Sequence, residues 1–230
     1  MPGFVVHLAE AYTILDRLDG SVDFSQEARE RFITGNLLPD TRLRGEKHIS
    51  HFWDPADFGK LAKTPDIHRF LEKYGSSRDP LLLGYLSHLY LDAEYVKNFW
   101  PGVFRFYDSK GQPQVMTDRI SQVKILKSGL MVPVDEFFSE KYYYGDYTKM
   151  NSYFINKYHI KRPQWEQIRD FPMDEVKLSD MSLLCRGLDK VTKLCHKGDE
   201  KDIRVFELDK LEAFALDCSE AFIRTYCGIK

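Results

Sequence analysis

Long apolar runs are missing from this chain: none reaches the roughly 18 uninterrupted apolar residues that a membrane-spanning helix needs. No sign of charge dominates either. Lys and Arg number 33 against 35 Asp and Glu, a formal charge of −2 that gives no electrostatic footprint for long nucleic acid or an anionic membrane. Cysteine is scarce. Cys185, Cys195, Cys218 and Cys227 all lie in the last quarter without a Cys-x-x-Cys pair, so they read as buried or free thiols in a reducing compartment and not as a disulfide framework. Met1-Pro2-Gly3 runs directly into an amphipathic segment, with no basic stretch, apolar stretch and cleavage site of a leader. Internal repeats, low-complexity segments and obvious linkers are absent too. These absences predict a soluble, cytoplasmic protein with no transmembrane segment.

What is present is ordinary globular composition. Hydrophobic residues make up 43% and charged residues 30%, which excludes a disordered chain, and 13 Tyr with 16 Phe suit a thickly packed interior. A length of 230 residues is enough for one sizeable core. Periodicity is helical nearly throughout, so the fold class reads as all-α: a single helical domain over 1–230, with the candidate chemistry in 1–100 and packing and accessory helices in 101–230. The spacing predicts helices over 4–18, 66–74, 135–142, 146–157, 180–196 and 209–227, with a break at Lys197-Gly198-Asp199. A second helix begins at Asp23 as cap, with Gln26 three residues on, and stops at Gly35. Residues 102–133 are less regular. A turn signal in 105–112 leaves room for a small hairpin or an irregular loop near 102–116.

Five residues carry candidate chemistry. His88 and Asp92 stand four apart, hence on one face of a helix over 79–95 that is apolar nearly all round, with Asp79 as cap and Pro80 at the first position. A carboxylate there is costly unless paired, by a metal or by the histidine itself, and from this helix alone both readings stand. Gly84, one turn below His88, leaves room for a neighbouring helix or a ligand. His7 is the one polar member of the 4–18 stripe, and a lone histidine on such a face is more often a satisfied core residue than a ligand. Asp40 follows Gly35-Asn36-Leu37-Leu38-Pro39, a corner that Pro39 makes non-helical by pushing Leu38 out of the helical region. His48 and His51 are spaced three apart, and spacing does not choose between them. Arg42, Arg44 and Lys47 beside them face either an anionic substrate or water. Three histidines and two carboxylates make a nitrogen/oxygen donor mixture that suits zinc, and also Fe, Mn or Ni.

The order of these motifs resembles the zinc-dependent phospholipase C family: a helix bearing His7, then Gly-x-Leu-x-Pro-Asp ending at Asp40, Ser50-His51-Phe52, and Gly-Tyr-Leu-x-His-Leu-x-x-Asp from Gly84 to Asp92. That family is all-helical and related in fold to the single-strand-specific zinc nucleases. The similarity covers 1–100 and continues more weakly through Gly145-Asp146-Tyr147. It implies that Asp40, His51, His88 and Asp92 hold one zinc, and that His7 contributes to a second, bridged by Asp92. Asp40 matches the family's candidate general base. The implied activity is phosphoester hydrolysis by metal-generated hydroxide, on a phospholipid headgroup, a nucleotide or another small phosphate ester. After Asp92 only His159 and His196 remain. The secreted family members hold three zincs; His196 and Glu200 match the third-site spacing, but Gly198 between them favours a surface turn, so this chain departs from the family and one or two ions are expected. Two other functions fit the same residues: a metal-binding protein without turnover, and a helical interaction domain with a His/Asp hydrogen-bond cluster.

Overall fold

The structure is a computed structural model that describes residues 2–18, 25–42, 44–194 and 199–228, without the side chains of Arg44 and Asp199. The expected cap at Asp23 and the expected turn at His196 to Gly198 lie outside the described residues. The first helix, α1 (Phe4–Leu18), turns Val5, Leu8, Ala11, Ile14, Leu15 and Leu18 into the core. In α2 (Gln26–Leu37) the cap is Ser25, whose hydroxyl accepts from the Ala28 N–H at 3.2 Å. Gly35 is not a stop but an interior residue of that helix. The corner beyond it is also helical: Leu38 keeps φ −54 and ψ −39 before Pro39, and Leu38–Thr41 forms a 3-10 turn. Its N–H still bonds to the carbonyls of Thr34 and Gly35, and burial of Leu37 and Leu38 holds the tight geometry against the preference of a residue before proline.

A single turn, α3 (Lys47–Ser50), and α4 (Ile67–Tyr74), capped by Asp66, lead to α5 (Pro80–Glu94). Asp79 caps α5 by accepting from the Leu81 N–H at 2.9 Å, and the same carboxylate takes two donors from Arg31 of α2. Burial then covers almost every face of α5, from Leu81 to Ala93. The irregular region resolves into a three-stranded antiparallel sheet of β1 (Phe104–Tyr107), β2 (Gln122–Ile125) and β3 (Met131–Pro133), in that spatial order. Phe104 pairs with Ile125 and Val123 with Val132. The turn after β1 closes on Asp108, which accepts from the N–H groups of Lys110 and Gln112, but the returning chain adds only an isolated bridge from Tyr107 to Pro113. The partner of β1 therefore comes from beyond 116.

The expected helix over 135–142 shrinks to α6 (Val134–Phe137), because Phe138 leaves the helical region at ψ 39. The next helix, α7 (Tyr143–Lys157), begins three residues before Asp146. Asp146 is thus no cap. Its buried carboxylate accepts backbone N–H bonds from Arg204, Val205 and Phe206 at 2.6–3.1 Å and pins that segment to α7. Two more helices, α8 (Met181–Lys193) and α9 (Leu208–Tyr226), complete the chain, and α9 lays Leu211, Ala215, Cys218 and Phe222 against α1 and α5. Nine α-helices and one small sheet thus make a mostly helical protein among the described residues. None of those helices is long and apolar enough to cross a membrane.

The packing that positions the site is the crossing of α2 and α5, the most extensive helix pair among the described residues. A Cβ on Gly84 would meet the Phe32 carbonyl oxygen at 2.0 Å, and one on Gly35 would meet that of Leu81 at 1.9 Å. The two backbones touch because neither glycine has a side chain. We expect Gly84→Ala to force the helices apart and to cost about 3 kcal/mol in denaturant unfolding; a loss below about 1 kcal/mol would show that the crossing is not a close one.

Candidate metal centre

Five side chains from four places in the chain converge. His7 comes from α1, Asp40 from the 3-10 turn, His51 from the residue after α3, and His88 and Asp92 from one face of α5. His7, His51, His88 and Asp92 are all 0% exposed, and Asp40 is the outermost, with 14% of its side chain in solvent. His51 Nε2 lies 3.4 Å from His88 Nε2, 3.4 Å from Asp92 Oδ2 and 3.7 Å from Asp40 Oδ1. His88 Nε2 lies 3.6 Å from the same Asp92 Oδ2. On the other side of the carboxylate, Asp92 Oδ1 stands 3.3 Å from His7 Nε2, and the His7 ring stacks on that of His88 at 3.7 Å.

The hydrogen bonds behind the rings decide which nitrogens carry protons. His88 Nδ1 lies 2.8 Å from the backbone carbonyl of Asn36, which can only accept, so Nδ1 donates, and in the neutral imidazole Nε2 keeps its lone pair. Ser50 spends its hydroxyl proton on the Pro39 carbonyl at 2.8 Å, so the contact of 3.0 Å between Ser50 Oγ and His51 Nδ1 is donated by the histidine. With both imidazoles neutral, their two lone pairs face each other at 3.4 Å. Such outer hydrogen bonds from carbonyl and hydroxyl are the usual way a protein fixes a metal-ligating histidine.

Charge reinforces the point. Burial, followed by the facing His88, lowers His7 to about 4, and burial likewise lowers His51 against the partial opposition of Asp40. Burial pushes Asp92 up, yet contacts with His7 and His88 outweigh it and hold the acid well below the usual carboxylate range. For Asp40 burial is again opposed, first by Lys47, whose ammonium meets Oδ1 at 2.5 Å, and the acid is held low. Two carboxylates are thus held low beside His7 and His51, whose charged forms burial disfavours, while both oxygens of Asp92 and both nitrogens of His7 have no hydrogen-bond partner. Buried polar atoms are rarely left so.

These residues fit a metal ion. Donors at zinc distances of about 2.0–2.1 Å, placed tetrahedrally, are about 3.4 Å from one another. Of the six edges among Asp40 Oδ1, His51 Nε2, His88 Nε2 and Asp92 Oδ2, the three from His51 and the one from His88 to Asp92 run from 3.4 to 3.7 Å. His7, His88 and Asp92 form one tight donor group and Asp40, His51 and His88 another, with His88 common to both.

Other candidates stand apart. His48 is exposed, with Nδ1 3.2 Å from the Gly45 carbonyl, so of the two histidines it is His51 that joins the cluster. His159 is exposed, at φ 51. Of the three cations expected near a substrate, Arg42 is engaged with the Glu175 carbonyl at 2.9 Å and with Glu46, the Arg44 side chain lies outside the described residues, and Lys47 alone reaches the cluster. Three participants escape the sequence reading: Asn36, Ser50 and Glu10. Asn36 acts through its backbone and leaves no side-chain signal. Ser50 is visible only as the residue before a histidine. Glu10, one turn after His7, is 1% exposed although it lies outside the apolar stripe, because α1 is covered on more than one face.

No family model, no curated protein and no solved structure matches this chain.

Replacing Ser50 with alanine leaves the His51 Nδ1–H without its acceptor. We expect Ser50→Ala to weaken metal binding by about 10- to 100-fold in competition with a chromophoric chelator, with the fold retained; unchanged affinity would show that the Ser50 hydroxyl does not orient the ring.

Proposed function

We propose that the chain is a metal-dependent phosphoester hydrolase, a relative of the zinc-dependent phospholipase C type working in a reducing, cytoplasmic compartment. The observation that carries this reading is the four-donor arrangement of Asp40, His51, His88 and Asp92, with the two imidazoles bared toward one point. Zinc suits that set best, and Fe, Mn or Ni share its donor chemistry. A bound ion would supply Lewis-acid charge to a phosphoryl oxygen and acidify water.

The chain's own residues supply the rest. His88 and His51 are oriented by Asn36 and Ser50, and Asp92 brings negative charge to the buried side. Asp40 and Lys47 stand at the solvent edge, where an anionic ester would arrive, with side chains 14% and 22% exposed. Lys47 is placed to meet a phosphoryl oxygen there. Asp40, held low by the same lysine, is a ligand first and the candidate base second. A small phosphate ester fits this narrow edge.

The burial of the other four residues favours one further reading, a metal that stabilises the fold without turnover. Both readings are separated by one experiment: elemental analysis of the purified protein, with hydrolysis of bis(p-nitrophenyl) phosphate before and after chelation. We expect bound metal, hydrolysis abolished by chelator and restored by Zn²⁺, and loss of both metal and activity in His88→Ala. Metal without hydrolysis, and a lower melting temperature on chelation, would select the structural role. Full metal content and activity in His88→Ala would overturn the assignment of the site.

A further inference from the structure

Glu10 sits one turn after His7 on α1, on the same helical face, and is 1% exposed. Neither of its carboxyl oxygens has a hydrogen-bond partner. Asn36 lies beside it and adds a further acceptor. The Asn36 amide orientation is fixed, because Nδ2 donates to Ser87 Oγ at 3.0 Å and the Ser87 hydroxyl donates in turn to the Gly84 carbonyl at 2.8 Å. Asn36 Oδ1 is thereby left as a buried acceptor with no donor. His7 and Asp92 Oδ1 on this side of the centre likewise have no hydrogen-bond partner. The four-donor arrangement accounts for Asp92 Oδ2, but not for Asp92 Oδ1, His7 or Glu10.

We propose that Glu10 is a protein donor to a second cation position, beside His7 Nε2 and Asp92 Oδ1. The proposal rests on the metal reading above and extends it to a residue that the motif comparison does not contain. The donors differ in kind from those of the first position: one imidazole and two carboxylates, in place of two imidazoles and two carboxylates. An oxygen-rich set favours a hard ion such as Mn²⁺. Glu10 stands outside the tightest donor groups, whose members approach within 4.8 Å of one another, so ligation requires a change in its side-chain torsions. The competing state of such a residue is a neutral acid that donates to an acceptor such as Asn36 Oδ1. Burial and the nearby Asp92 charge push the Glu10 acid well above the usual carboxylate range, against partial opposition from Asn36.

Glu10→Gln separates the two states, since glutamine reproduces the neutral hydrogen-bonding acid but not a ligating carboxylate. Metal-free wild type and variant are titrated with Mn²⁺ alone and with Zn²⁺ alone, bound metal being counted after gel filtration and binding followed by calorimetry. Circular dichroism of the metal-free proteins reports the fold. We expect two equivalents of Mn²⁺ in wild type and one in Glu10→Gln, with the remaining equivalent bound as in wild type. Glu10→Asp, which keeps the charge on a shorter side chain, should weaken the second equivalent by at least about 10-fold, and it carries the test if the glutamine variant does not fold. Two equivalents in Glu10→Gln, undiminished, overturn the proposal. One equivalent in wild type, lost in His88→Ala, overturns it while leaving the metal reading intact. No bound metal in wild type removes the metal reading itself and this inference with it.

Discussion

The contact of two helix backbones at Gly35 and Gly84 is what the rest of the centre depends on. Without side chains at these positions, α2 and α5 approach until a Cβ on either would fall about 2 Å from the other helix's carbonyl oxygen. Only at that distance does the Asn36 carbonyl reach His88 Nδ1, and that bond aims the opposite ring nitrogen into the cluster. The Arg31 to Asp79 pair ties the same two helices at the start of α5. The aim of His88 is therefore a consequence of helix packing, while Asp40 and His51 are supplied by the buried turns that follow α2.

The second constraint is electrostatic. Burying Asp92 inside an apolar helix is unfavourable unless compensating charge is near, and burial disfavours the charged form of its neighbours His7 and His51. Hydrogen bonds do not close the account, because both Asp92 oxygens and both His7 nitrogens lack partners. A hydrogen-bonded His/Asp cluster would place protons between these atoms. Instead the protons on His51 and His88 are directed outward, to Ser50 and Asn36, and lone pairs are turned inward. This inversion is the physical difference between a structural polar cluster and a cation site.

Much of this was legible in the sequence, and the limits are instructive. The i, i+4 spacing of His88 and Asp92, the cap at Asp79 and the stripe of α1 translate directly into structure, because helical periodicity is a local property. So does the convergence of Asp40 and His51 expected from the motif order. Gly35 was misread for the same reason that Gly84 was read well: a glycine inside a helix and a glycine ending one look alike until the neighbouring helix is known. Leu38 obeys tertiary burial over its local preference before proline. The sheet escaped because the partner of β1 is β2, beyond a turn that pairs only locally. Glu10 escaped because one polar residue off the expected stripe reads as solvated, and only the covering of α1 from several sides shows otherwise.

The central claim is that a cation belongs at the point toward which Asp40, His51, His88 and Asp92 turn their donor atoms. The most direct test is an anomalous difference map of crystals grown with Zn²⁺, collected at the zinc edge. The account predicts a peak bonded to Asp40 Oδ1, His51 Nε2, His88 Nε2 and Asp92 Oδ2. A map with no peak there, and with His51 or His88 hydrogen-bonded directly to Asp92, would contradict it.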